Sequence, residues 1–319
     1  MAKSRSVTAT ATTRSRHAAK RRICKYMAHL VSSSLTDSLT SGPSASKITE
    51  VAAMQNFIQD LLGDTHHTFL QGSYRNDTAR SDINDVDIVA VRLQTYSSIF
   101  SGKVFPSSIP WESIFNEIEQ KLRGQRRYSS WTVTRGDKCI KVRGAFNADV
   151  VPAVQVGSHE EDPIVVYSFR TMVEKTNHPR LHYENGVTKN KATVDQYKPT
   201  VRMFKNWAYN HFGDDRDIFS SFKVEALVHG MPNEHFSEDA VTTFILGADG
   251  MVKKLSTRGL VPLIIPSVCG NEDITANWSV TGRTTFVNQL KRSLESALGA
   301  YKATSIAHAD TQWRTAFNL

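Results

Sequence analysis

Cysteine is scarce in this chain. Cys24, Cys139 and Cys269 are the three present in 319 residues, odd in number and far apart, which argues against a disulfide framework and against a zinc-type cluster. The histidines give no metal signal either: His66-His67, His211, His229 and His235 fall at no ligand spacing. No apolar run approaches the roughly 20 residues of a membrane span, so we expect a cytoplasmic protein with no membrane association. The body also lacks a charge bias. The net charge of +8 belongs to the leader, since residues 1–36 carry eight Lys or Arg (Lys3, Arg5, Arg14, Arg16, Lys20, Arg21, Arg22, Lys25) and no acid, while the remainder balances 31 basic against 31 acidic residues. A neutral body without a basic stripe argues mildly against long RNA as a partner. Residues 1–16 read as a basic, flexible leader; solubilising tail, nucleic-acid tether and transit peptide all stay open for it. Apolar residues make up 40% of the chain, ample for one large domain or two packed ones.

The most informative stretch is FLQGSYRNDTARSDINDVDIVAV, residues 69–91. Asp85 and Asp87 are separated by one valine and followed by Ile88-Val89-Ala90-Val91. In a strand, alternate side chains share a face, so both carboxylates point one way while Val86 and Ile88 point into the core. Two such carboxylates repel each other and call for a hard, oxygen-seeking cation, magnesium above all. The Gly72-Ser73 turn just upstream offers N–H groups and a hydroxyl to an anion, a geometry suited to phosphate. Asp82 is a decoy: it has no carboxylate two residues on and reads as a turn residue.

Around this stretch the periodicity predicts helices over about 17–35 (Ile23, Met27, Leu30, Val31), broken by Ser41-Gly42-Pro43-Ser44, and over about 46–62 (Ile48, Val51, Met54, Ile58, Leu61), stopped by Gly63. A helix over 111–123, a strand pair over 131–141 turning at Arg135-Gly136-Asp137, and a strand over 146–156 come next. Asp149 is the one acid in that last apolar run, and a lone carboxylate there is costly unless paired or bound to metal. Lys175 to Lys191, with His178-Pro179 and Asn185-Gly186, reads as an irregular connection. Beyond it, helices are expected over about 193–212 and 284–305, the latter with Phe286, Leu290, Leu294 and Leu298 as core.

Gly72-Ser73, Thr78 and Asp85-x-Asp87 resemble the signature of the DNA polymerase β nucleotidyltransferase superfamily, and QGSYRNDTA followed by NDVDIV is most similar to the bacterial CD-NTases, relatives of cyclic GMP-AMP synthase and the oligoadenylate synthetases. The resemblance implies an α+β fold, a polymerase-β-like core of mixed sheet and flanking helices over 17–190, packed against a helical nucleotide-binding domain over 191–319. It implies that Asp149 is the third metal-binding aspartate, and that Lys205, in R-M-F-K-N-W, meets the outer phosphates of a bound triphosphate. Ser221 resembles a serine that contacts the triphosphate, a role suited to the donors at a helix start. Phe222 takes the place of a base-stacking tyrosine. Cys269 to Trp278 is weakly similar to a loop near the nucleotide, without its aspartate-proline.

The activity that this resemblance implies is nucleotidyl transfer. Asp85, Asp87 and Asp149 would hold two magnesium ions (manganese serving as well), with ATP, GTP or other NTPs as substrates and a cyclic di- or trinucleotide messenger of antiphage defence as product, leaving room for a regulatory protein partner. Transfer to another acceptor, such as an RNA 3′ end, and a catalytically silent nucleotide sensor are the rivals.

Overall fold

The computed structural model describes residues 29–83, 85–96, 98–100, 103–105, 109–127, 130–144, 147–156, 161–256 and 263–319. The basic leader and most of the expected helix over 17–35 lie outside the described residues, as does Phe146. Nine strands are described: β1 (His66–Gln71), β2 (Asp85–Tyr96), β3 (Ser98–Phe100), β4 (Lys103–Phe105), β5 (Thr132–Arg135), β6 (Ile140–Arg143), β7 (Asn147–Gln155), β8 (Ile164–Ser168) and β9 (Val173–Asn177). Seven form one mixed sheet in the order β1-β2-β7-β6-β5, with β8 and β9 continuing from the far end of β7; β3 and β4 form a separate hairpin. Strands β2 and β7 are parallel and central, and the other pairs are antiparallel.

Alternation decides what each face of the sheet does. Val86, Ile88 and Ala90 pack with Ala148, Val150 and Val154 beneath two helices, Ala45–Leu62 and Trp111–Gly124. Ser44 caps the first of these, accepting from the Lys47 N–H, and Gly63 stops it at φ +69°, a conformation that glycine adopts without a Cβ clash. Ile48, expected on the buried face of this helix, is 53% exposed; Val51, Met54, Ile58 and Leu62 make the contact. On the opposite face Val89 and Val91 join Phe69, Ala153, Ile164 and Val166 in a smaller cluster, and there the sheet opens to the helical half.

The helical half comprises Pro179–Ala192, Tyr197–Phe212, Ser221–His229, Ala240–Ser256, Val280–Lys302 and Ile306–Phe317. Its core centres on Tyr197, Phe204, Trp207, Phe244, Phe286, Trp313 and Phe317. The short helix Ser33–Thr40 belongs to this half, since Val31, Leu35 and Leu39 are in the same core. Ser32 fastens it to the last helix: its N–H donates to Asp310 Oδ1 at 2.8 Å and its hydroxyl to Oδ2 at 2.9 Å.

Several expectations are corrected. Residues 175–191 are not an irregular connection but the end of β9 and the helix Pro179–Ala192; Pro179 starts that helix because a first-turn proline has no N–H to waste. The expected domain boundary at 190/191 lies within that helix. Val194 is 75% exposed at φ +50°, ahead of the helix that it is expected to join. The expected final helix starts at Val280, and Ile306–Phe317 comes after it past Ser305, whose hydroxyl accepts from the His308 N–H.

Candidate functional site

A cleft of about 590 Å³ separates the exposed sheet face from the helical half, and Gly72, Ser73, Asp85, Asp87, Asp149, Lys205, Ser221 and Phe222 all line it. Strand register assembles the floor. Asp87 stands opposite Asp149 across the parallel β2–β7 pair, and opposite Gln71 across β1–β2. Because a one-residue slip would turn either carboxylate to the other face, the apolar pairs beside them, Val86 with Ala148 and Ile88 with Val150, hold the acids together.

Gly72 follows β1 at φ +67°, and a Cβ built there would lie 2.7 Å from Asp87 Oδ2. Both observations require glycine: the conformation excludes most side chains, and the carboxylate occupies the space. The chain then turns through the short helix Gly72–Arg75, and the Ser73 carbonyl accepts from the Thr78 N–H at 2.9 Å, closing the loop. Asp82, the decoy, pairs instead with Arg80 at 3.1 Å at the surface.

The floor is electrostatically strained. Crowding by protein, then the charges of Asp149 and Asp85, push the Asp87 carboxyl up to about 6, against the pull of Arg216. Its exposed edge faces the cleft, so a ligand can reach a group that is otherwise surrounded by protein. Asp149 Oδ1 accepts from Arg143 Nη2 at 2.7 Å. Cys139 packs nearby; burial, then the Asp149 charge and a hydrogen bond to it, push the thiol up to about 12, so it stays protonated. Among the described residues no three His, Cys, Asp or Glu side chains are grouped so that they could hold a metal ion by themselves. The donor set is nonetheless what a hard divalent cation takes: oxygen ligands, clustered and mutually repelling.

The opposite wall is the start of the helix Ser221–His229. Ser220 is its cap, accepting from the Lys223 N–H, which leaves the Ser221 hydroxyl and first-turn donors on the cleft. Phe222 is 39% exposed, its ring 6.1 Å from that of His182; it is a surface aromatic of the cleft and not core. Lys205 reaches the cleft but is held by protein groups behind it. Its ammonium, 3% exposed, donates to the Thr78 carbonyl (3.2 Å), the Thr78 hydroxyl (3.0 Å) and Glu225 Oε2 (2.8 Å). Three donors are all a lysine has, so it stands behind the phosphate-facing surface as a counterion.

Glu225 gave no signal that sequence reasoning took up. Beyond Lys205, its carboxylate accepts from Asn76 Nδ2 (3.3 Å), the Thr78 hydroxyl (3.1 Å) and His182 Nε2 (3.0 Å). Burial alone would raise its pKa; the Lys205 and His182 partners outweigh that and hold it well below the usual carboxylate range. Also unforeseen at the cleft are Lys138, Lys175, His178 and Arg216, and from the weakly similar loop Asn271 and Glu272, the last paired with Lys175 at 3.2 Å. No helix among the described residues is long and apolar enough to cross a membrane.

Comparison with known proteins adds an independent line. Residues 184–257 match the model of the cGAS/DncV-like nucleotidyltransferase C-terminal helical domain. The chain is 32% identical over 195 residues to a cyclic UMP-AMP synthase of Rhodothermus marinus, covering 55% of this chain and 67% of that protein. It is 32% identical over 212 residues to a cyclic dipurine nucleotide synthase of Elizabethkingia meningoseptica, covering 59% and 70%. The solved structure of the Rhodothermus enzyme with Apcpp and Upnpp superposes with a TM-score of 0.64 at 24% identity, over 82% of this chain and 95% of that one, a likeness of fold.

Proposed function

The chain belongs to the cGAS/DncV-like nucleotidyltransferases, enzymes that make cyclic oligonucleotides, and from that premise we propose how its own residues carry the reaction. Asp85, Asp87 and Asp149 would hold two magnesium ions, with manganese as a substitute; the hard donor set and a carboxyl lifted by burial, then by the Asp149 and Asp85 charges, support this assignment. Two such ions would supply Lewis-acid chemistry, neutralising charge on the attacking and leaving oxygens of an in-line displacement.

The remaining work is binding and orientation. Gly72 brings backbone within reach of the triphosphate, and Ser73 adds a hydroxyl. Ser221 faces the same phosphates from the opposite wall with the free N–H groups of a helix start. Lys205 contributes positive charge from behind, through the Thr78 loop. Phe222 offers a ring on which a base stacks, a contact that contributes roughly 1 to 3 kcal/mol. Holding acceptor and donor nucleotides in one cleft makes each step effectively unimolecular. The acceptor hydroxyl bonds to the α-phosphorus and gives up its proton to solvent, the α–β phosphoanhydride bond breaks to expel pyrophosphate, and a second turn in the same cleft closes the ring. ATP, GTP or other NTPs would serve as substrates, and the product would act as a messenger in antiphage signalling, under a regulatory protein where one is present.

The pairing of Asp87 with Asp149 across parallel strands carries this reading. The test is incubation with all four labelled NTPs and magnesium or manganese, then phosphatase and separation. A phosphatase-resistant small product is expected, lost by a factor of at least about 10³ in Asp87→Asn while its fold is retained. Full product from that variant would refute the metal assignment. Extended oligomers, or labelled RNA when RNA is supplied, would move the acceptor elsewhere.

A further inference from the structure

The helix Ser221–His229 serves the cleft with its first turn and the framework with its second. Ser221 and Glu225 are four residues apart and so share a helix face. Ser221 faces the cleft, and Glu225 reaches past it to the loop beyond Gly72-Ser73, taking hydrogen bonds from Asn76 and Thr78 on that loop. His182 and Lys205 grip the same carboxylate from two further helices. Thr78 is bonded twice over, since its N–H is held by the Ser73 carbonyl and its hydroxyl by Glu225. A continuous path of hydrogen bonds therefore runs from Ser73 through Thr78 and Glu225 to the Ser221 helix.

We propose that Glu225 is a positioning residue: it fixes the separation between the Gly72-Ser73 turn and the Ser221 helix start, the two surfaces that grip the triphosphate. Glu225 touches no reacting atom. It binds the two walls to one another, so the gap between them is set before substrate arrives, and none of the binding energy goes into closing it. The same network explains why Lys205 is spent inward. Its ammonium keeps the strut's carboxylate charged in a site where an unpaired charge could not persist.

The proposal rests on the reading that Ser73 and Ser221 hold phosphate, and the experiment separates the two. Binding of magnesium tripolyphosphate, which has no base, is measured well below each variant's melting temperature, alongside kcat and KM for NTP consumption. Glu225→Gln is expected to raise KM and the tripolyphosphate Kd together by about tenfold or more, with kcat at saturation within about threefold, the pattern of lost uniform binding. Thr78→Val should do the same to a smaller degree, and Thr78→Ser, which keeps the hydroxyl, should restore both. A folded Glu225→Gln with unchanged KM and Kd overturns the proposal. If Glu225→Gln does not fold, Thr78→Val decides, and its failure to weaken either constant, or Thr78→Ser failing to rescue, overturns it equally. Ser73→Ala with undiminished tripolyphosphate binding would instead remove the underlying reading of the site. Weakening by Ser73→Ala but not by Glu225→Gln removes the strut alone.

Discussion

Asp87 and Glu225 are carboxylates on opposite walls of one cleft, and their surroundings push them in opposite directions. Asp87 is lifted to about 6 by burial and then by two neighbouring acids, Asp149 and Asp85. Glu225 is more deeply buried, yet Lys205 and His182 hold it well below the carboxylate range. Burial is therefore not what separates them; the sign of the neighbour is. An acid left among acids marks where a cation or proton is wanted, whereas an acid with a lysine and a histidine is framework, already satisfied.

The sharpest way to break that contrast is at the buried pair. Glu225→Ala strands the Lys205 ammonium and should cost about 3 to 5 kcal/mol in denaturant unfolding, whereas replacing both residues with methionine should recover most of it. A double variant no more stable than the single one would mean that the pair is not the unit. Next comes Gly72→Ala, which forces a Cβ against Asp87 Oδ2 at a positive φ; about 1 to 3 kcal/mol of stability should go with it, and activity with the displaced carboxylate. Phe222→Ala should leave the melting temperature unchanged while raising KM by about tenfold, because an exposed ring has little packing to lose but, in the proposed role, a base to hold.

The smallest effect, and the most direct comparison, is in pH. Asp87 binds its proton more tightly folded than unfolded, so without metal its contribution is lost as pH rises from about 4 to about 6 and the penalty is complete above that. Glu225 has the opposite sign, stabilising above its ordinary value of 4.5 and losing that contribution as pH falls. The stability of Asp87→Asn relative to wild type should accordingly be near zero at pH 4 and largest above pH 6, measured by metal-free melts. A difference independent of pH would sink the assignment of strain to Asp87.

Much of the floor was legible because its signals are local. Asp85-x-Asp87 on an alternating strand needs no tertiary knowledge, and Asp149 stands out as a lone acid in an apolar run. Glu225 carries the same signal, lying in Val224-Glu225-Ala226-Leu227-Val228, where it is the single acid among four buried apolar residues. It could have been flagged by the reasoning that flags Asp149. Its partners could not, since Asn76, Thr78, His182 and Lys205 come from three other parts of the chain. The bond from Lys205 to Glu225 was hidden for the related reason that a sequence does not reveal which acid a lysine meets. His178-Pro179 reads as a breaker where the proline begins a helix, and strand β9 has too weak an alternation, with Val173 exposed at its edge, to declare itself.

Because Val31, Leu35 and Leu39 share a core with Trp313 and Phe317, and Ser32 is tied to Asp310, the helical half is completed by segments from both extremes of the described chain. The sheet half, lying between them, has all its strands once residue 177 has left the ribosome, whereas its partner half must wait for the last helix. A nascent chain would thus carry its aspartates long before it can grip a nucleotide, and no messenger could be made until the helix Ile306–Phe317 has emerged. Chains stalled ahead of Trp313 should protect the sheet from protease yet fail to bind tripolyphosphate; binding by such chains would dismiss this order of assembly.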